Sequence, residues 1–289
     1  MKTVLVTGAS GALGRAVIGR LKNDSGSRVV ATSRRAGASV EQLDVRQHQR
    51  IGELIGRVEP ELILHLAATF ANDFDEAYAI NVDATRHLLD AVLQSGRRTR
   101  VLVVGSAAEY GAVLPGENPV REDRVQMPVS IYGLTKAWQT QLAGLYARRG
   151  VDVVVARVFN LDGLGLSERL FVGRLQRQIA ELAAGRIPAI EVGALSAVRD
   201  YLSTDDAAEQ LLAIAALAEA GQVCHVASGV PVTMRDLLVR YLARHGLDSS
   251  VVREAAELSN RTGYDVPAIY ADVAATLRMV KTWRERVEA

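Results

Sequence analysis

Tyr132-Gly133-Leu134-Thr135-Lys136 sets a tyrosine and a lysine four residues apart. On a helix, side chains at that spacing share a face and meet. A free phenol has a pKa of about 10 and is poorly poised for proton transfer near neutrality. A neighbouring ammonium favours the phenolate and is expected to lower that value. Ser106 follows the apolar run Val101-Leu102-Val103-Val104, at the expected end of a strand. In a doubly wound sheet, the carboxyl ends of the strands converge on the ligand crevice. Ser106, Tyr132 and Lys136 are therefore expected to meet there as one proton-transfer group.

A second motif supplies a place for phosphate. Thr7-Gly8-Ala9-Ser10-Gly11-Ala12-Leu13-Gly14 follows an apolar strand pattern and opens a helical one. Glycine permits a sharp turn and close backbone approach to a pyrophosphate, and a helix N-terminus offers free N–H groups. Gly8, Ser10, Gly11, Ala12, Leu13 and Gly14 are the expected dinucleotide cradle. The second strand ends on Thr32-Ser33-Arg34-Arg35, without the carboxylate that would hold a ribose 2′-hydroxyl. A guanidinium suits a 2′-phosphate by charge and fork geometry. Ser33, Arg34 and Arg35 therefore favour NADP(H), with NAD(H) as the alternative if both arginines are only solvated. Gln42-Leu43-Asp44-Val45 should end a third strand, where Asp44 either accepts from the adenine amino group or caps the next helix.

These motifs need a frame. Apolar strands at Thr3–Thr7, Arg28–Thr32, Leu62–Leu66, Val101–Val104 and Val151–Val158 alternate with helical patterns at Leu13–Leu21, about Glu76–Gln94 and Tyr132–Arg148. Strands apolar on both faces suit a parallel sheet covered on each side. The predicted fold class is α/β, a Rossmann-type doubly wound parallel sheet. Val223–Ala227 reads as a late return to that sheet, and the last sixty or so residues as a helix at Met234–His245 followed by looser structure.

Composition narrows the class. Lys plus Arg is 34 and Asp plus Glu is 33 in 289 residues, a net charge of +1, which gives no reason to expect nucleic acid or an anionic membrane as partner. The single cysteine, Cys224, cannot form an internal disulfide. His48, His65, His87, His225 and His245 have no metal-ligand spacing, so no metal is expected, and His65 reads as a core residue. No leader pattern and no apolar run of about 18 residues is present, which predicts a cytoplasmic protein.

The set Thr7–Gly14, His65-Leu66-Ala67-Ala68, Asn81, Ser106–Gly111 and Tyr132–Lys136 resembles the extended short-chain dehydrogenase/reductase family. The resemblance implies a Ser–Tyr–Lys site and a smaller C-terminal domain that binds a nucleotide-sugar. It implies that Leu66, Ala67 and Ala68 line the cofactor, with Asp44 and Val45 nearby, and that Lys136 also holds the nicotinamide ribose. On that basis residues 1–162 with about 203–228 form the NADP-binding domain, and about 163–202 with 229–289 the nucleotide-sugar domain. A homodimer through the long helices is implied too.

Later segments resemble the branch of GDP-mannose 4,6-dehydratases and GDP-4-keto-6-deoxy-mannose reductases. Asn160 and Ala107 fall where the substrate lies in that branch, and Arg199 and Arg261 where its diphosphate is held. Arg199 could instead pair only with Asp200, and Arg261 could be a surface residue. Ala194 and Thr262 stand where this branch is expected to carry Asn and Pro, which leaves the base open between GDP and a thymidine diphosphate.

Dehydration needs an acid and a base near C5 and C6 of the hexose besides the tyrosine. The acidic position two before Tyr110 is Ala108 here, and Glu109 is offset by one, onto the opposite face of an extended segment. The expected activity is NADPH-dependent reduction of the 4-keto group of an NDP-4-keto-6-deoxyhexose. The alternatives are an NDP-sugar epimerase with tightly bound NAD, a 4,6-dehydratase, or an NADP-sensing regulator without catalysis.

Overall fold

A computed structural model describes residues 2–22, 26–37, 39–255 and 266–287. The chain runs β1 (Lys2–Thr7), α1 (Ala12–Lys22), β2 (Ser27–Ser33), β3 (Glu41–Gln42), α2 (His48–Val58) and β4 (Leu62–His65). It continues through α3 (Phe74–Ala77), a π-turn at Tyr78–Asp83, α4 (Ala84–Ser95), β5 (Arg100–Ser106), α5 (Ile131–Arg148), β6 (Val153–Val158) and β7 (Asn160–Asp162). Then come α6 (Phe171–Ala183), β8 (Ile190–Val192), β9 (Val198–Ser203), α7 (Thr204–Leu217), β10 (Val223–Val226), β11 (Pro231–Thr233) and α8 (Met234–Arg244). β12 (Val252–Glu254), β13 (Ala268–Ile269) and α9 (Ala274–Val287) close the described chain.

Seven strands form one sheet in the order β10-β6-β5-β4-β1-β2-β3, every neighbouring pair parallel. The order reverses between β1 and β4, the switch point where open α/β sheets bind ligands. Thr7 ends β1 beside Thr32 of β2 and His65 of β4, and Ser106 ends β5 beside Val158 of β6. The expected doubly wound sheet and the late return of β10 are both present.

The central strands are mostly apolar because both faces are covered, while the edge strand β3 is polar and exposed. Val4, Val6, Leu62, Leu64, Leu102 and Val154 join the core with α1 and α7. Their alternating neighbours Leu5, Ile63, Val101, Val103, Val153 and Val155 join the core with α2, α4 and α5. β9 carries a separate small sheet, pairing with β7, β11 and β13, and β8 pairs with β12. Val172, Leu175, Leu195, Leu237 and Tyr241 belong to a third core beside them.

Two elements differ from the sequence expectation. The helix expected from Glu76 to Gln94 is interrupted by the π-turn, which buries Ile80, Asn81 and Val82. Asn81 Nδ2 there donates to Thr69 O at 3.2 Å and Thr135 Oγ1 at 3.0 Å, and its Oδ1 accepts from Thr69 N at 3.0 Å. These partners hold the extra residue that a regular helix would expel. The second difference is α9, expected to be loose. Only Thr276 and Val280 of this helix are buried, too thin an apolar stripe to read in a charged stretch. Arg284 anchors it to Glu209 of α7 through two 2.7 Å hydrogen bonds.

Candidate active site

β1 ends at Thr7, and Gly8 turns the chain with φ 70°. A Cβ at Gly8 would stand 2.7 Å from the Ala67 nitrogen, so only glycine lets the loop lie against the segment after β4. Ala67 N also donates to Thr7 Oγ1 at 3.3 Å. The structure thus brings Gly8–Gly14 and Leu66–Ala68 together. α1 starts at Ala12, so the amides of Ala12 and Leu13 open toward the loop, as those of a first helical turn must. A phosphate fits such a cradle.

At the end of β2, Ser33 is buried while Arg34 and Arg35 are exposed. The Ser33 hydroxyl donates to Arg35 O and Gln42 Nε2 to Arg34 O, which tie down this bend. Asp44 lies beyond β3, not at its end. Arg46 Nε bonds its carboxylate at 3.0 and 3.1 Å, Arg46 N donates at 3.0 Å, and these bonds hold the acid below its ordinary range. The helix-capping alternative fails, because Gln47 precedes α2 and no side chain caps it. Val45 is a core residue, 6% exposed.

Ser106 is the last residue of β5. Its Oγ accepts from Ala108 N at 3.2 Å and so starts a short 3₁₀ turn, Ala107–Glu109. Ser130 Oγ accepts from Gly133 N at 3.0 Å and caps α5. That cap sets Tyr132 in the first turn and Lys136 one turn later. Ser106 stands close enough to Tyr132 for its hydroxyl to favour the ionised phenol. The Phe70 ring lies over Tyr132, with centroids 4.7 Å apart. The three residues expected to meet are therefore gathered at the end of β5.

Their electrostatics differ from the expectation. The Tyr132 phenol is pushed up to about 12, by burial first and by the Glu109 charge, with the Ser106 hydrogen bond opposing. Lys136 does not lower it. The ammonium is turned into the fold, donating to Val104 O and Gln139 Oε1, and is 1% exposed. Burial brings Lys136 down to about 8, against the Glu109 charge. Gln139 Nε2 passes the contact on to Thr85 Oγ1 at 2.6 Å, and Thr85 Oγ1 donates to Asn81 O at 2.9 Å. The π-turn is thereby connected to Lys136 through buried polar side chains. His65, 1% exposed, has Nδ1 at 2.9 Å from Thr7 Oγ1 and is lowered to about 3 by burial and the Lys136 charge.

The expected substrate residues are spread around β9. Asn160 Nδ2 donates to Asp200 O at 3.1 Å. Arg199 is 7% exposed and its Nη1 donates to Val198 O at 2.8 Å. The Asp200 carboxylate accepts from Ser228 N at 2.8 Å, Ser228 Oγ at 2.6 Å, Gly229 N at 2.9 Å and Ala271 N at 3.2 Å. Ala107 is buried beside Tyr110 and Phe159. Arg261 lies outside the described residues.

Sequence spacing missed two arrangements. His48, Asp83 and His87 place ligand atoms within 4.8 Å of one another. Arg86 stands among them, with Nη2 at 2.6 Å from His87 Nε2 and 2.9 Å from Asp83 Oδ1. Its guanidinium supplies the positive charge at that point. The other is Glu109, fully buried against Arg157 at 2.9 Å. The signal was present, as one acid and one base in otherwise apolar surroundings.

Among the described residues no helix is long and apolar enough to cross a membrane. The family model of the NAD dependent epimerase/dehydratase family matches residues 4–227. GDP-6-deoxy-D-mannose reductase of Pseudomonas aeruginosa is 27% identical over 222 residues, covering 74% of this chain and 73% of the relative. UDP-glucose 4-epimerase of Rhizobium meliloti is 30% identical over 223 residues, covering 69% and 66%. Among solved structures, MoeE5 in complex with UDP-glucuronic acid and NAD superposes with a TM-score of 0.82 at 27% identity, covering 96% of this chain and 92% of that one. The sheet order and the glycine turn against Ala67 agree with that match, and the chain belongs to the NAD dependent epimerase/dehydratase family, within the extended short-chain dehydrogenases/reductases.

Proposed function

We propose that this protein reduces the 4-keto group of an NDP-4-keto-6-deoxyhexose with NADPH. The observation that carries the reading is that Ser106 and a buried Tyr132 phenol, held up to about 12, come together at the end of β5. Such a phenol keeps its proton throughout the neutral range, as a proton donor to a carbonyl must. The reductase relative from Pseudomonas aeruginosa supports the same reaction class.

The glycine turn and the α1 amides would hold the pyrophosphate, and Arg34 and Arg35 a 2′-phosphate. When bound, the reduced cofactor supplies a hydride to the carbonyl carbon. Tyr132 gives its phenolic proton to the carbonyl oxygen, so ketone, hydride and proton make the secondary alcohol. Ser106 donates to the same oxygen and stabilises the developing alkoxide. Lys136 would hold the ribose once its ammonium turns from Val104 O and Gln139. Asn160, Arg199 and Arg261 are the proposed nucleotide-sugar contacts, from a smaller domain of about 163–202 with 229–289.

Dehydration lacks its acid. Ala107 and Ala108 occupy the positions, and Glu109 is closed off in the ion pair with Arg157. The epimerase relative makes the tightly bound-NAD reading the rival. Absorbance of the purified protein separates the two. A ligand-free spectrum and preference for NADPH over NADH support the reductase, and a co-purifying dinucleotide that does not exchange overturns it.

A further inference from the structure

Beneath Ser106 lies a carboxylate that the proposed reaction does not use. Glu109 is 0% exposed. Its Oε1 accepts the backbone N–H of Ser106 at 2.7 Å. Its Oε2 accepts from Thr140 Oγ1 at 2.8 Å, Arg157 Nε at 2.9 Å and Gln126 Nε2 at 2.9 Å. These partners come from the end of β5, the second turn after Tyr132 in α5, the C-terminal end of β6, and the segment leading into α5. Arg157 is equally enclosed. Its Nη1 donates to Tyr110 Oη at 2.5 Å and Glu122 O at 3.1 Å, and Tyr110 Oη meets His225 Nε2 at 2.5 Å.

Room for the carboxylate comes from Gly105. A Cβ there would stand 2.6 Å from Glu109 Oε1 and 3.1 Å from Val155 Cγ1. The glycine before Ser106 is thus a space for the acid, not a hinge.

We propose that Glu109 is the positioning residue of the Ser106–Tyr132–Lys136 group: it ties the Ser106 backbone to α5 and β6 and fixes a buried negative charge beneath the site. What it positions rests on the ketoreductase reading. The charged and titratable groups around it are Arg157 from β6 and Tyr132 and Lys136 from α5. Beyond Arg157 stand Tyr110, Glu122 and His225. The Glu109 charge raises both Tyr132 and Lys136, so it holds protons on the phenol and the amine, the state from which a phenol donates.

The charge and the tether can be tested separately, and the deciding readout of each does not rely on turnover. Glu109→Gln keeps the shape and removes the charge. Phenolate formation is read as the alkaline absorbance difference between each protein and its Tyr132→Phe counterpart. In Glu109→Gln its onset moves down by about one pH unit, about tenfold in ionisation constant, and the alkaline limb of kcat moves with it. Thr140→Val leaves both in place. Glu109→Asp keeps the charge but withdraws it from Ser106, and serves where Glu109→Gln does not fold. Amide hydrogen exchange at Ser106 then speeds up by about tenfold or more, while the phenolate onset stays. An unmoved or upward-shifted onset in Glu109→Gln, or unchanged Ser106 exchange in Glu109→Asp, overturns the proposal. A wild-type protein that reduces no keto-sugar sinks the ketoreductase reading alone, because these two readouts still decide the role of Glu109.

Discussion

At the floor of the site, Glu109, Arg157, Lys136 and His65 are each 2% exposed or less, whereas at its mouth Arg34, Arg35 and Arg46 stand in solvent. Charge at the floor must be matched group by group, since breaking a buried pair costs about 3–5 kcal/mol. At the mouth, water matches it, and an exposed pair is worth at most about 1 kcal/mol. The Glu109–Arg157 pair at the floor is therefore held in one arrangement, and the exposed arginines at the mouth are free to meet a ligand. In the proposed reaction, geometry and proton placement belong to the first region and cofactor choice to the second.

If that division holds, the largest effects come from the floor. Tyr132→Phe should lower kcat by about 10²–10⁴-fold, the range for a lost general acid, with NADPH affinity nearly unchanged. Next comes acid stability through His65, whose folded value is about 3 against 6.5 when unfolded. The depressed value stabilises the fold above pH 6.5, and that stability drains as pH falls toward 3. The loss is on the order of 4 kcal/mol, and denaturant unfolding at a series of pH values should show His65→Gln flattening that stretch. Lys136 acts on the alkaline side. Its folded value of about 8 lies below the ordinary 10.5, so its contribution to stability rises as pH climbs from 8 to 10.5.

Effects at the mouth should be smaller and of another kind. Arg34→Ala should weaken NADPH by about tenfold, the worth of one charge-assisted bond, and leave NADH affinity and unfolding unchanged. Titration with the two cofactors checks this, and equal losses for both would erase the division. Smallest is Arg46→Ala, expected to cost at most about 1 kcal/mol despite its short contacts with Asp44.

The sheet was legible because its central strands obey one rule, apolar on both faces between helices, as Leu62–His65 and Val153–Val158 do, whereas the exposed edge strand Glu41–Gln42 does not. The grouping of the candidate trio was legible because its spacing is local: Tyr132 and Lys136 share one helix, and Ser106 ends the preceding strand. What escaped depends on long-range satisfaction of buried polar groups. Lys136 turning to Val104 O and Gln139, Asn81 reshaping a helix into a π-turn, and Glu109 meeting Arg157 across 48 residues are settled by which partner lies within reach. No periodicity encodes that. Helix α9 escaped for the opposite reason, since its apolar stripe is thin and polar contacts such as Arg284 with Glu209 and Thr276 Oγ1 with His225 O help hold it to the fold.

Turnover itself is the most direct test. The purified protein is mixed with GDP- or dTDP-4-keto-6-deoxyhexose, and loss of reduced-cofactor absorbance is followed with NADPH and with NADH. The expected result is oxidation that prefers NADPH and collapses in Tyr132→Phe. A protein that consumes neither cofactor, yet interconverts two NDP-hexoses with a dinucleotide it never releases, would contradict the reading.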